Sequence, residues 1–449
     1  MRPRKAVLIT LIAAFAASVC WTMLRSGGVS VGGPMAHGAY IWQRVWSGPV
    51  QDAASLGSRE FAALYVLGAE WEAARSPGDS VGRPAARGAG GSGAPARGWA
   101  VAEVVPTWEA LGQGSARVVL VYRLVASGPG APLDADLADR IVEMYRRQAD
   151  AAAAAGVVVH ELQVDYDAPT RGMTEYAQFL RGLRAKLGET SLTITALPTW
   201  LEAGAFGRVA DCVDAYVLQV HSLQRPGAAA TSLCDPVRAE RWVRAAGRLG
   251  RPFYVALPTY GYLLGVDARG KVVEIGAEQA RQRKGALEAG GHALTLMPDA
   301  AAMGRLVASW TRHRPACMLG VVWFRLPTSQ DVLAWHPATL RAVMAGHSPA
   351  SRVRYGTHTD ATGLTWVVAM NHGDADGRIE PFVTVQVHGG RVVVADALSG
   401  FAVVRSSPDV LTFRPMHMDQ MQKIVPGEER RLGWVRAEPS GEVVVHVND

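Results

Sequence analysis

Eight short apolar stretches recur between residues 39 and 326, and polar or amphipathic segments separate them. They are AYIWQRVW (39–46), EFAALYVLG (60–68), ARVVLVYRL (116–124) and VVVHELQVD (157–165), then SLTITALP (191–198), CVDAYVLQV (212–220), PFYVALP (252–258) and LGVVWFRL (319–326). Near-continuous apolar runs of this length mark strands buried on both faces, the condition of a parallel sheet covered by helices. Segments 134–156, 173–188 and 235–250 carry apolar residues at helical spacing, and each ends at glycine, a common helix terminator. Strand and helix in eightfold alternation predict an α/β fold, a (β/α)8 TIM-like barrel over residues 37–346.

After residue 350 the pattern changes. GLTWVVAMNHG, FVTVQVHGG, RVVVADAL, RLGWVRAE and GEVVVHVND alternate apolar and polar residues between Gly, Asp and Ser turns. They predict a C-terminal antiparallel β-sandwich domain over 351–449. Two stretches interrupt the barrel. Residues 73–98 are rich in Gly, Ala, Pro and Arg and predict a flexible surface excursion. Residues 262–278 predict a hairpin that turns at Ala268-Arg269-Gly270.

The first five residues, MRPRK, carry three positive side chains, and Ala6 to Leu24 form an uncharged, predominantly apolar run. Residues 1–25 therefore predict a signal peptide or an N-terminal membrane anchor, followed by a linker over 26–36. The expectation is an exported protein, periplasmic or held at the inner membrane through residues 6–24. The net charge of +6 comes from arginines, since only five lysines occur. These arginines are scattered along the chain, so the basic balance predicts no nucleic-acid surface. Beyond Cys20, the three cysteines Cys212, Cys234 and Cys317 show no CxxC pair and read as buried free thiols. Oligomeric state is left open.

Barrel enzymes place their sites at the C-terminal ends of the strands. Those ends gather Gln43, Arg44 and Trp46; Glu70 and Glu72; Gln163, Asp165, Tyr166 and Asp167; and Thr199, Trp200 and Glu202. Gln219, His221, Tyr260, Tyr262, Trp323 and Arg325 complete the set. Aromatic faces stack on pyranose C–H surfaces, while acids and amides bind hydroxyls, so this mixture suits a sugar. The ligand expected is therefore a polysaccharide or oligosaccharide. No phosphate loop, GxSxG elbow or HExxH motif occurs, and His221 has no second histidine placed to help it hold a metal. Neither cofactor nor metal is expected.

HELQVDYD (160–167), DAYVLQVHS (214–222), ALPTYGY (256–262) and GVVWFRL (320–326) occur in that order along the chain, on strands four, six, seven and eight. Together they resemble the strand-end motifs of glycoside hydrolase family 18, the chitinase-like barrels. The layout is also similar to an uncharacterised exported bacterial family whose members share an LQVDYDAP block, a domain of unknown function. The family 18 resemblance places Asp167 at the general-acid position, where that family has Glu, and Asp165 at the acid before it. Gln163 and His160 replace two family aspartates, and His221 replaces a tyrosine. It further implies that the substrate's N-acetyl group supplies the nucleophile; Glu70, Glu72 or Glu202 are the alternatives within the chain.

Physically, two carboxylates two apart on a strand repel each other and hold a proton more tightly as a pair. The sequence thus predicts Asp167 as general acid and Asp165 as its charge partner. Substrate contacts are expected from Gln163, Trp46, Glu70, Trp200, Gln219, His221, Tyr260, Trp323 and Arg325. Simpler roles compete. Asp165 and Asp167 would also serve as caps for the following helix or as partners of Arg171. Arg325 would equally make a salt bridge to one of them, and Trp46 and Trp323 would fill the barrel.

Overall fold

The computed structural model describes residues 29–73, 98–126, 132–221, 232–267, 272–276, 292–416 and 423–447. The predicted signal or anchor over 1–25, all but the ends of the 73–98 excursion and the Ala268-Arg269-Gly270 turn lie outside them. No helix among the described residues is long and apolar enough to cross a membrane. The chain divides into two units, one comprising residues up to 222, 234–258 and 310–328, the other the remainder.

The first unit holds the barrel. Its strands are β1 (Ala36–Ile41), β2 (Ala63–Ala73), β3 (Arg117–Val125), β4 (Val159–Tyr166), β5 (Ser191–Ala196), β6 (Ala215–Gln219), β7 (Phe253–Pro258) and β8 (Met318–Phe324). Each pairs in parallel with the next, and β8 pairs with β1 to close the ring. All eight predicted strands are present. Because side chains alternate across a strand, Tyr40, Tyr65, Val119, Val121, Val217, Ala256 and Val322 project inward and form one apolar cluster.

One irregularity in β2 positions the site. Its register against β3 slips between Leu67 and Ala69, so the bulge at Gly68 puts even-numbered Glu70 on the face that odd-numbered Tyr65 occupies. The bulge needs glycine, since a Cβ there would lie 2.7 Å from Gln148 Oε1 and 2.8 Å from the Tyr122 ring. Gln148, buried on helix Ala135–Ala154, fixes it by donating to Gly68 O at 3.1 Å. Glu70 and Glu72 thus sit on the strand itself.

Helices Ala135–Ala154, Met173–Leu187 and Pro236–Arg248 match the predicted segments. Asp134 caps the first and Asp235 the third. Gly172 stands at the cap position of the second, so neither Asp165 nor Asp167 caps it. Cys212, Cys234 and Cys317 are free thiols, the last two buried as expected and Cys212 only half-buried.

In the second unit, Tyr262–Val266 pairs antiparallel with both Val272–Gly276 and His292–Leu296. This unit also holds two four-stranded antiparallel sheets. One runs Val353–Thr359, Thr365–Asn371, Glu429–Glu438, Arg391–Ala397; the other runs Phe401–Arg405, Val410–Pro415, Val383–His388, Glu442–Val447. Both contribute to one apolar core that includes Val367, Val385, Phe413 and Val435. Val353–Thr359, Phe401–Arg405 and Val410–Pro415 had no counterpart among the predicted strands.

Candidate functional site

Strand β4 sends Glu161, Gln163 and Asp165 into the barrel at successive levels, while Leu162 and Val164 pack outward. At the upper level, Thr195 Oγ1 donates to Asp165 Oδ1 at 2.6 Å, and Gln219 Nε2 donates to the same oxygen at 3.3 Å. Burial raises the Asp165 pKa above the ordinary carboxyl value; Thr195 and the Arg123 charge oppose that rise, and the charge of Asp167 adds to it. Desolvation disfavours the charged form of an acid and outweighs its partners here.

Glu70, Arg123 and Asp165 stand in register across β2, β3 and β4. Arg123 faces both acids, with Nη1 3.6 Å from Glu70 Oε1 and Nε 3.7 Å from Asp165 Oδ2. Arg44 holds Glu70 through both carboxylate oxygens, with Nη2 at 2.9 Å from Oε1 and Nε on Oε2. The Arg123 guanidinium lies 5.9 Å from the centre of the Trp42 ring. Trp42, Tyr40 and Phe324 meet edge to face, and His221 stacks on Phe324 at 5.4 Å. Burial pushes the His221 pKa down to about 4, so its imidazole is neutral at physiological pH.

Asp167 follows the strand and is exposed. No hydrogen bond or ion pair from another described residue holds its carboxylate. With Arg123, Asp165, Tyr166, Arg171 and Glu175 it lines a cleft of about 830 Å³.

The barrel mouth brings together Asp165, Asp167, Glu70, Gln219 and His221 from the predicted set. Several other predicted residues are placed differently. Gln163 has no exposed surface; it accepts from Tyr40 Oη at 2.7 Å and donates to Thr193 at 3.2 Å, so it braces the interior below the mouth. Trp200 is buried, donates to Ala168 O at 3.1 Å and packs against Tyr176 and Phe206. Trp323 faces outward, opposite to Val322 and Phe324, and its indole donates to His37 Nδ1 at 3.2 Å. Neither tryptophan offers a face to the cleft. Trp46 is half-buried in the segment after β1. The guanidinium facing Asp165 comes from Arg123 and not from Arg325. Tyr260 belongs to the second unit, where its ring meets Tyr262 edge-on at 5.4 Å.

Sequence reasoning missed Arg123, Thr195, Trp42 and Phe324. A signal existed for three of them. Counting in twos from an inward residue selects Trp42 from Tyr40, Phe324 from Val322 and Arg123 from Val121. Among the described residues, no cluster of His, Cys, Asp or Glu is arranged to hold a metal ion.

Residues 118–329, which take in β3 to β8, match a family described as a domain of unknown function (DUF3142). No curated protein matches the chain significantly. Among solved structures, the chain is similar to the spore cortex-lytic enzyme SleL of Bacillus megaterium QM B1551, with 10% identity and a TM-score of 0.45 over 67% of this chain and 72% of that one. It is also similar to chitinase ChiA74 of Bacillus thuringiensis, at 9% identity and a TM-score of 0.43 over 92% and 100%. A chitinase from Bacteroides thetaiotaomicron aligns at 12% identity and a TM-score of 0.43 over 70% and 96%.

Proposed function

We propose that the barrel mouth binds and hydrolyses a polysaccharide outside the cytoplasm, with Asp167 as general acid. One observation carries the reading. Two carboxylates emerge two residues apart at the end of β4; Asp165 is clamped by Thr195 and Gln219, while Asp167 stands unheld in an open cleft. A general acid must reach the leaving oxygen, and a fixed neighbour keeps the charge around it constant. Asp167 gives its proton to the glycosidic oxygen as the bond to the anomeric carbon breaks, and the bonding electrons leave with that oxygen. Water then adds to the anomeric carbon and returns a proton to Asp167.

Glu70 is poorly suited as nucleophile, because Arg44 occupies both of its oxygens and Arg123 faces it. The reading takes the substrate's own N-acetyl oxygen as the group that attacks the anomeric carbon, as the family 18 resemblance implies, with Glu72 and Glu202 the alternatives left within the chain. Export is supported by the basic and apolar start of the chain.

Asp167→Asn is expected to lower the release of reducing sugar from a responsive glycan by about 100-fold or more, without loss of fold. Unchanged turnover would remove Asp167 from the role. The neutralised Glu70 also favours a second reading, a barrel that binds glycans without cleaving them. Calorimetric binding with no sugar released by the unaltered protein would select it.

A further inference from the structure

We infer that the saccharide held in this cleft carries a carboxylate, and that Arg123 and Arg171 bind it beside Asp167. The inference rests on the reading of the mouth as a sugar site and narrows the class of sugar.

Both guanidiniums line the cleft, yet among the described residues neither has its donors taken up by a hydrogen bond. Arg123 sits between two acids but at 3.6 and 3.7 Å, beyond hydrogen-bonding distance. Those acids are engaged elsewhere. Arg44 holds both oxygens of Glu70, and Thr195 and Gln219 share Oδ1 of Asp165. Glu70 and Asp165 therefore centre the Arg123 charge without occupying its N–H groups. Arg171, on the turn Thr170–Gly172 beyond Asp167, is exposed and forms no ion pair among the described residues. A neutral sugar would leave two guanidiniums to water. A carboxylate matches them, since its two oxygens accept paired N–H donors in one plane.

Three carboxyls, Asp165, Asp167 and Glu175, share the lining with the two guanidiniums. Burial disfavours the charged form of Asp165, and the acid role proposed for Asp167 uses its uncharged form. The carboxylate could sit at C5 of a uronic acid or on a lactyl ether of an amino sugar. The same guanidinium chemistry reads both.

Titration calorimetry on the full chain tests this with four probes: a hyaluronan hexasaccharide, its carboxyl-reduced counterpart, an oligosaccharide containing muramic acid, and a neutral chitin hexasaccharide. At least one acidic probe should bind about tenfold or more tighter than both neutral ones. Which acidic probe binds better identifies the carboxylate's source. The gap should narrow between about 50 mM and about 500 mM NaCl, as screening weakens an exposed pair. Arg171→Ala should remove most of the preference and Arg171→Lys should restore part of it; circular dichroism confirms that both variants fold. Equal binding of acidic and neutral probes overturns the inference and leaves the sugar reading standing. A preference untouched by Arg171→Ala overturns the assignment to that residue. Failure of all four probes to bind overturns both the inference and the sugar reading.

Discussion

The two ends of β4 carry the same three chemical groups in two different states. At the lower end Glu161 meets Thr193 from β5 and Arg117 from β3; at the upper end Asp165 meets Thr195 and Arg123. The hydroxyls are equally close, at 2.5 Å to Glu161 and 2.6 Å to Asp165. The arginines differ. Arg117 hydrogen-bonds Glu161 Oε2 at 2.9 Å, whereas Arg123 stands 3.7 Å from Asp165 Oδ2. Both oxygens of Glu161 are therefore satisfied, and the lower set is complete. The upper set shares one oxygen between two donors and leaves a guanidinium with spare N–H groups facing the cleft. The same three chemical groups thus make a brace at one end and an unfinished site at the other.

The largest expected effect separates these roles. Asp165→Asn should lower turnover of a responsive glycan by about 100-fold or more, because the charge beside the acid is lost. Its thermal midpoint should not fall, since Asp165 is an acid that burial already disfavours in its charged form. Glu161→Ala should do the reverse. It strips Thr193 and Arg117 of the acceptor they share and should cost about 2–3 kcal/mol of stability, with turnover reduced only as folding suffers. A large stability loss in Asp165→Asn would mean that the two ends do the same job.

The reason only half of this comparison was legible in the sequence is geometric. Apolar runs announce strands locally, so all eight were found, and VVVHELQVDYD revealed the inward acids because their spacing is two. What surrounds those acids comes from other strands. Thr195 and Arg123 reach Asp165 only because the barrel brings β5 and β3 to the same level in register. Glu70 joins them only through the bulge at Gly68, which no alternation pattern predicts. Trp200 and Trp323 were misplaced for a simpler reason. A large aromatic near a strand end suggests a sugar platform, but direction along the strand decides, and Trp323 is one residue out of phase with the inward Val322.

The threonines give a smaller and cleaner contrast, since each can become valine with almost no change in shape. Thr193→Val removes a donor from Glu161 and an acceptor from Gln163 Nε2. It should cost about 1–2 kcal/mol of stability, read from the urea midpoint. Thr195→Val frees Asp165 Oδ1 from one of two donors. It should lower turnover by about tenfold at similar stability, with the loss in kcat and not in KM. A Thr195→Val enzyme of full activity would show that Gln219 alone fixes Asp165, and the parallel between the ends would then break at the hydroxyl.

The smallest effect is in the pH dependence of stability, where the two ends should agree in sign and differ in salt sensitivity. Glu161 and Asp165 both have raised pKa values in the folded protein, burial being the leading cause. Between the ordinary value and the raised one, the folded state binds more protons than the unfolded chain, so stability falls as pH rises. Each group's contribution is fully present below its ordinary value, 4.5 for Glu161 and 3.8 for Asp165, and is lost as pH climbs through the folded pKa. Glu161→Gln and Asp165→Asn cannot titrate, so the stability advantage of the natural protein over each should shrink with rising pH from those starting points. Urea midpoints taken in steps upward from pH 4 measure it. Added salt should move the Glu161→Gln difference curve only a little, because Arg117 also hydrogen-bonds its acid directly. It should move the Asp165→Asn curve further, toward higher pH, because Arg123 holds the Asp165 pKa down through its charge alone, across 3.7 Å with no hydrogen bond, and salt screens charge. Curves that respond equally to salt would show that the bonded Arg117 and the unbonded Arg123 act on their acids alike, and the mouth would lose the feature that distinguishes it from the base.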